Sequence, residues 1–159
     1  MNFFEDKDRW SSQMISNGAR NYLDAAKSLQ PNPLIAPHPF WFCIFQSIEL
    51  SLKAFLRGKG YSKKQLKAHE LGHHLAALYD AAKLHGLDEV VSLSSDEEAL
   101  VRDVGEMYSS KVFQYAEAGW SSLPYAYQGY AVGERFFTAT RHFAEAQRTH
   151  HHDKPTAVR

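Results

Sequence analysis

The sequence holds one cysteine, Cys43, in 159 residues. That excludes an intrachain disulfide and a cysteine-based zinc finger, and it suits a reducing compartment. It has no excess of either charge: 18 basic side chains balance 18 acidic ones. The global electrostatic footprint of a nucleic-acid binder is therefore missing, although a local patch remains open. Long apolar runs are missing too. The longest strongly apolar stretch, Phe40 to Phe45, falls far short of a membrane span. The chain begins MNFFEDKDRW, with acids where a signal peptide needs a basic region followed by an apolar one. The expectation is a cytoplasmic protein that does not enter a membrane and needs no cofactor. Repeats and low-complexity segments are absent. So is period-2 alternation bounded by turn signals, and no strand is expected.

What is present is helical periodicity around an aromatic-rich core. Aromatics make up 13% of the chain, enough to exclude disorder over the whole length. Ile15, Ala19, Tyr22, Ala26 and Leu29 recur at helical spacing. Pro31, Pro33, Pro37 and Pro39 then impose an irregular connection. A second helix is expected from near Phe40, with the stripe Trp41, Ile44, Phe45, Ile48, Leu52, Phe55 and Leu56. It should end at Gly58 and Gly60. A third is expected from His69 to His85, carrying Leu71, Leu75, Leu78 and Ala82. Ser95-Asp96-Glu97-Glu98 marks a fourth helix start, with acids on the positive end of the dipole. The aromatic segment Tyr115 to Tyr130 reads as mostly loop. A last helix is expected from about Ala131 to Thr149, with Phe136, Phe137, Thr140 and Phe143 on its apolar face. The pattern predicts an all-α, single-domain bundle of about five helices over residues 1–149. A disordered polar tail is expected over 150–159.

His69-Glu70-Leu71-Gly72-His73 matches H-E-x-x-H literally. In a zinc hydrolase the two histidines bind metal from one helix face and the glutamate is the base. The extended pattern would need Gly and His where this chain has Ala76 and Tyr79. The apolar stripe also puts His69 and His73 on the opposite, outward side of the expected helix. A zinc site of His69 and His73, with Glu70 as base, is therefore the alternative, and no metal site is the main reading. His74 and the run His150 to His152 add adventitious ligands at most.

A resemblance comes from the second and third helices. Gln46-Ser47-Ile48-Glu49-Leu50-Ser51-Leu52-Lys53-Ala54-Phe55-Leu56, then Gly60, then Lys67-Ala68-His69-Glu70-Leu71 with Leu75 and Leu78, resembles the HEPN family of nucleotide-associated helical proteins. Asn21-Tyr22-Leu23-Asp24-Ala25-Ala26 fits its first helix. The resemblance covers roughly Ala19 to Leu87. It implies a HEPN-like bundle, often a homodimer, associated with nucleotide or RNA. Some members are metal-independent endoribonucleases of toxin–antitoxin type. Others are inactive partners of a nucleotidyltransferase. Catalytic members carry an Arg and a His near the start of a late helix, and here Arg135 and His142 hold that spacing. Seven positions is close to two turns, so they share a face. His142 would take a proton from a ribose hydroxyl and Arg135 would hold the phosphate. Phe136 after the motif arginine departs from the family pattern. Gln114 and Ala116 also stand where the pattern has Arg and Pro. These departures favour a non-catalytic or weakly ribonucleolytic member. The plainer reading of Arg135 is a solvated residue paired with Glu134 or Thr138.

Two further features stand out. Lys53, Arg57, Lys59, Lys63, Lys64 and Lys67 form a run with no acid among them. Of these, Lys59, Lys63, Lys64 and Lys67 are the candidates for phosphate contact; the bland alternative is a solvated loop. Glu49 sits on a very apolar helix and needs a partner, expected to be His69 or a nearby lysine. A pure protein-interaction module is the third class of function.

Overall fold

The computed structural model describes residues 10–29, 38–115 and 123–152, the last six of these by their backbone alone. The described chain is all-α. Helix α1 spans Ser12–Leu29 and α2 His38–Gly58. Helix α3 is the short segment Lys63–Lys67, α4 spans Leu75–Leu84 and α5 Ser95–Ser109. Helix α6 is Val112–Tyr115 and α7 runs Ala126–His152. A 3-10 turn, Leu87–Glu89, follows α4. No helix among the described residues is long and apolar enough to cross a membrane.

Helix α2 is the centre, as its aromatic stripe predicts. Fourteen of its 21 residues are buried, including Phe40, Trp41, Ile44, Phe45, Ile48, Leu52, Phe55 and Leu56. Pro39 is tolerated because N–H groups in the first turn have no intrahelical acceptor, so none is lost there. Helix α1 lies antiparallel along α2 through small residues. Ser12 Oγ donates to the Ala54 carbonyl (2.6 Å) and Ser47 Oγ to the Ala19 carbonyl (2.8 Å). Helix α7 runs parallel to α2: Gly129 lies under the Trp41 indole, and Phe143 packs on Phe55 with ring centroids 4.8 Å apart. A β-carbon at Gly129 would overlap the indole, so glycine is what lets α7 approach there. The tyrosine and phenylalanine rings of Phe45, Tyr108 and Phe113 stack beside α2.

Several boundaries differ from the periodicity reading. Helix α4 begins at Leu75, six residues later than expected, because residues 69–73 form turns and His74 is extended (φ −90°, ψ 92°). Helix α3 was not expected, although Ser62 and Gln65 form a capping box for it. Helix α7 starts five residues earlier, at Ala126, and continues through His152 into the expected tail. Pro31, Pro33 and Pro37 of the proline connection and residues 116–122 of the expected aromatic loop lie outside the described residues, as do 153–159; Tyr115 and residues 126–130 of that loop are helical instead.

Candidate functional site

The basic run divides in two once folded. Lys53 is buried and Arg57 is half-buried, donating to the Trp10 and Tyr61 carbonyls. Lys59, Lys63, Lys64 and Lys67 are exposed. Among the described residues none of these four has an ion pair. Two are seated on rings. Lys59 Nζ lies 5.2 Å from the centroid of Phe55 and 5.1 Å from that of Phe143. Lys63 Nζ lies 5.9 Å from that of Trp10. Both geometries are cation–π contacts. Phe55 is itself fully buried, so Lys59 covers that ring at the surface. Helix α3 is held by Leu66, which is buried, and by its cap: Gln65 N–H donates to Ser62 Oγ (3.2 Å).

Glu49 is fully buried, and its main partner is Lys53, one turn on in α2. Lys53 Nζ also donates to the Gly72 carbonyl. The Tyr108 hydroxyl lies 2.6 Å from Glu49 Oε2 and 2.6 Å from Gln46 Oε1. One proton serves both acceptors, with the charged one the stronger. Burial, and then the Glu49 charge, push the Tyr108 hydroxyl far above its ordinary pKa. His73, not His69, is the histidine beside Glu49, with Nδ1 3.4 Å from Oε1. This network pins the turn before α4 and the end of α5 to α2. With the ammonium and carboxylate joined and the phenol proton held tightly, it works as a structural lock.

The H-E-x-x-H segment does not form the helix face a zinc hydrolase needs. His69, Glu70 and His73 lie in turns and are exposed. The His69 ring contacts that of His74, with centroids 5.7 Å apart, and takes no part in the Glu49 network. No group of three histidine, cysteine or acidic side chains suited to a metal is found among the described residues. The expected structural role of His69 passes to His73.

Arg135 and His142 both sit on the outward side of α7. Arg135 is engaged elsewhere: Nη1 donates to the Ser92 carbonyl (3.1 Å) and pairs with Glu97 Oε2. Neither Glu134 nor Thr138 takes it. Glu97 also closes the capping box of α5 with Ser94. The Ser94 backbone N–H first, and Arg135 next, hold its carboxyl below the usual carboxylate pKa, against the opposing effect of partial burial. His142 is 76% exposed, with Nδ1 3.9 Å from Glu145 Oε2. Glu145 is bonded more closely by Arg141 Nε (2.7 Å). An open cleft of about 550 Å³ on α7 is lined by Tyr130, Ala131, Glu134, Arg135, Thr138 and Ala139.

Tyr108, Gln46, His73, Glu97 and Trp10 are the contacts that sequence reasoning missed. Only Glu97 carried a signal, in Ser94-x-x-Glu97. Compared with protein-family models, with curated proteins and with solved structures, the chain matches none.

Proposed function

We propose that the chain is a HEPN-like helical protein that binds RNA or a nucleotide-containing polyanion and does not cut it. The observation that carries this reading is the set of four exposed lysines, Lys59, Lys63, Lys64 and Lys67. None has a carboxylate partner among the described residues. Phosphate contacts of this kind supply sequence-independent affinity and a steep salt dependence. The non-catalytic form is supported by Arg135. A guanidinium already bonded to Glu97 and Ser92 is a poor phosphate clamp, because a substrate would first have to displace both.

In this reading the chain works as a homodimer, with the open cleft around Ala131, Arg135 and Thr138 in the first half of α7 as the contact surface, apart from His142. Ala131 and Thr138 are small enough there to let a second helix approach. The family resemblance adds a nucleotidyltransferase as the catalytic partner. Fluorescence anisotropy with labelled single-stranded RNA tests the binding. The account expects affinity to fall steeply with salt. Absence of binding at low salt refutes it. Light scattering on the eluted protein tests the dimer, and a monomeric mass at micromolar concentration refutes that part.

A further inference from the structure

We infer that the phosphate-binding surface is the shared end of α1, α2 and α7, built on Lys59 and Lys63 and reaching His142. Its ligand would be the backbone of single-stranded RNA. The inference rests on the RNA-binding reading and locates its site.

Read along the sequence, the lysine run and His142 are separate candidates. The parallel packing of α2 and α7 brings them together. Phe143, next to His142, packs on Phe55, and Lys59 lies over both rings. Helix α1 runs the other way, so its beginning reaches the same end. Trp10 sits just before α1 and carries Lys63 over its indole. Lys59 and Lys63 therefore cap the three-helix core from two sides, each over a ring the core holds in place. A seated ammonium loses less side-chain freedom on binding than a free one. Lys64 and Lys67 show no such seat among the described residues. The half-buried Trp10 beside Lys63 matches the pairing that single-stranded nucleic acid uses, a ring for a base and a cation for a phosphate. Glu145 is the described carboxylate next to His142, and Arg141 is bonded to it. Arg135 lies outside this surface, held on α5 by Glu97.

The test compares two double variants of the full chain, Lys59→Gln with Lys63→Gln, and Lys64→Gln with Lys67→Gln. Each is titrated with fluorescent oligouridylate over a range of salt. All four side chains are exposed, so both variants should fold, and circular dichroism checks this. The expected result is a loss of about 0.7 in the log–log salt slope for each of Lys59 and Lys63 removed. Lys64 and Lys67 should cost less. His142→Gln should lower affinity, and Arg135→Gln should leave it unchanged. An equal or larger loss from the Lys64/Lys67 pair overturns this placement while RNA binding stands. No binding by the unaltered chain overturns the placement and the RNA reading together.

Discussion

Arg135 on α7 and Glu97 at the start of α5 form an ion pair between residues 38 positions apart. The pair joins the late helix to a helix cap. On the proposed RNA-binding reading, it occupies the guanidinium that a phosphate clamp beside His142 would need free. Glu97 serves two masters, the α5 backbone through Ser94 and the guanidinium of Arg135.

The pair gives a stability prediction with a sign. The Glu97 carboxyl is held below its ordinary value of 4.5 in the folded chain. Its contribution is therefore present above the unfolded pKa and is lost as pH falls through the lowered one. Glu97→Gln should destabilise at neutral pH by under about 1 kcal/mol, with the difference vanishing in acid. Ser94→Ala, which removes the cap itself, should cost about 1 kcal/mol. Urea unfolding at neutral and acid pH checks both.

The buried Glu49–Lys53 pair predicts a non-additive cycle. Lys53→Met leaves a carboxylate buried with Tyr108 and an exposed histidine as its remaining partners. It should cost about 3–5 kcal/mol. Glu49→Leu with Lys53→Met removes both charges and should cost far less than the two single changes added. Additive losses in denaturant unfolding would show that the two residues do not depend on each other.

Gly129 and Gly133 predict opposite outcomes for the same substitution. Alanine is worth about 1 kcal/mol over glycine in a helix. At Gly133 the nearest atom to a new β-carbon is Leu23 Cδ1 at 3.3 Å, a flexible tip that can give. Gly133→Ala should be near neutral or stabilising. At Gly129 the β-carbon meets the fully buried Trp41 ring. Gly129→Ala should destabilise by about 1–3 kcal/mol, read as a lowered thermal midpoint.

Alkaline titration reports on the tyrosines. Burial, and then the Glu134 carboxylate, push the Tyr130 hydroxyl from 10.0 up to about 12. A phenol whose pKa is raised on folding stabilises the fold below its unfolded value and loses that contribution as pH climbs to the raised one. Stability should fall across pH 10.0 to about 12, and Tyr130→Phe should flatten that fall. Tyr108→Phe should flatten it further, while costing about 1.5–3 kcal/mol at neutral pH for the lost bond to Glu49.

The legible parts of this fold are those written in one helix at a time. The stripes of Ile15 to Ala26, Trp41 to Leu56 and Leu75 to Ala82 gave class, order and buried faces, because 3.6-residue spacing needs no knowledge of neighbours. The start of α4 was not legible. The contacts around it are long-range: Lys53 donates to the Gly72 carbonyl, 19 residues away, and the Leu75 N–H donates to Ser109 Oγ, 34 residues away. The partner of Arg135 was hidden for the same reason, since helical spacing offers Glu134 and Thr138 but not Glu97. Glu49's need for a partner was legible from burial and charge alone, with a nearby lysine as one of two candidates; the structure supplies Lys53. Its other partners, Tyr108 and His73, lie on elements whose packing no local pattern encodes. The seating of Lys59 on Phe143 likewise needs the parallel packing of α2 and α7.

The most direct test of the central claim is one incubation of the purified chain with labelled single-stranded RNA in excess EDTA. Binding and cleavage are both read from the same sample, with His142→Ala beside it. The account predicts intact RNA bound by both proteins, with affinity that falls steeply as salt rises. RNA cut by the unaltered chain and left whole by His142→Ala would contradict it, and would make the chain a metal-independent ribonuclease instead.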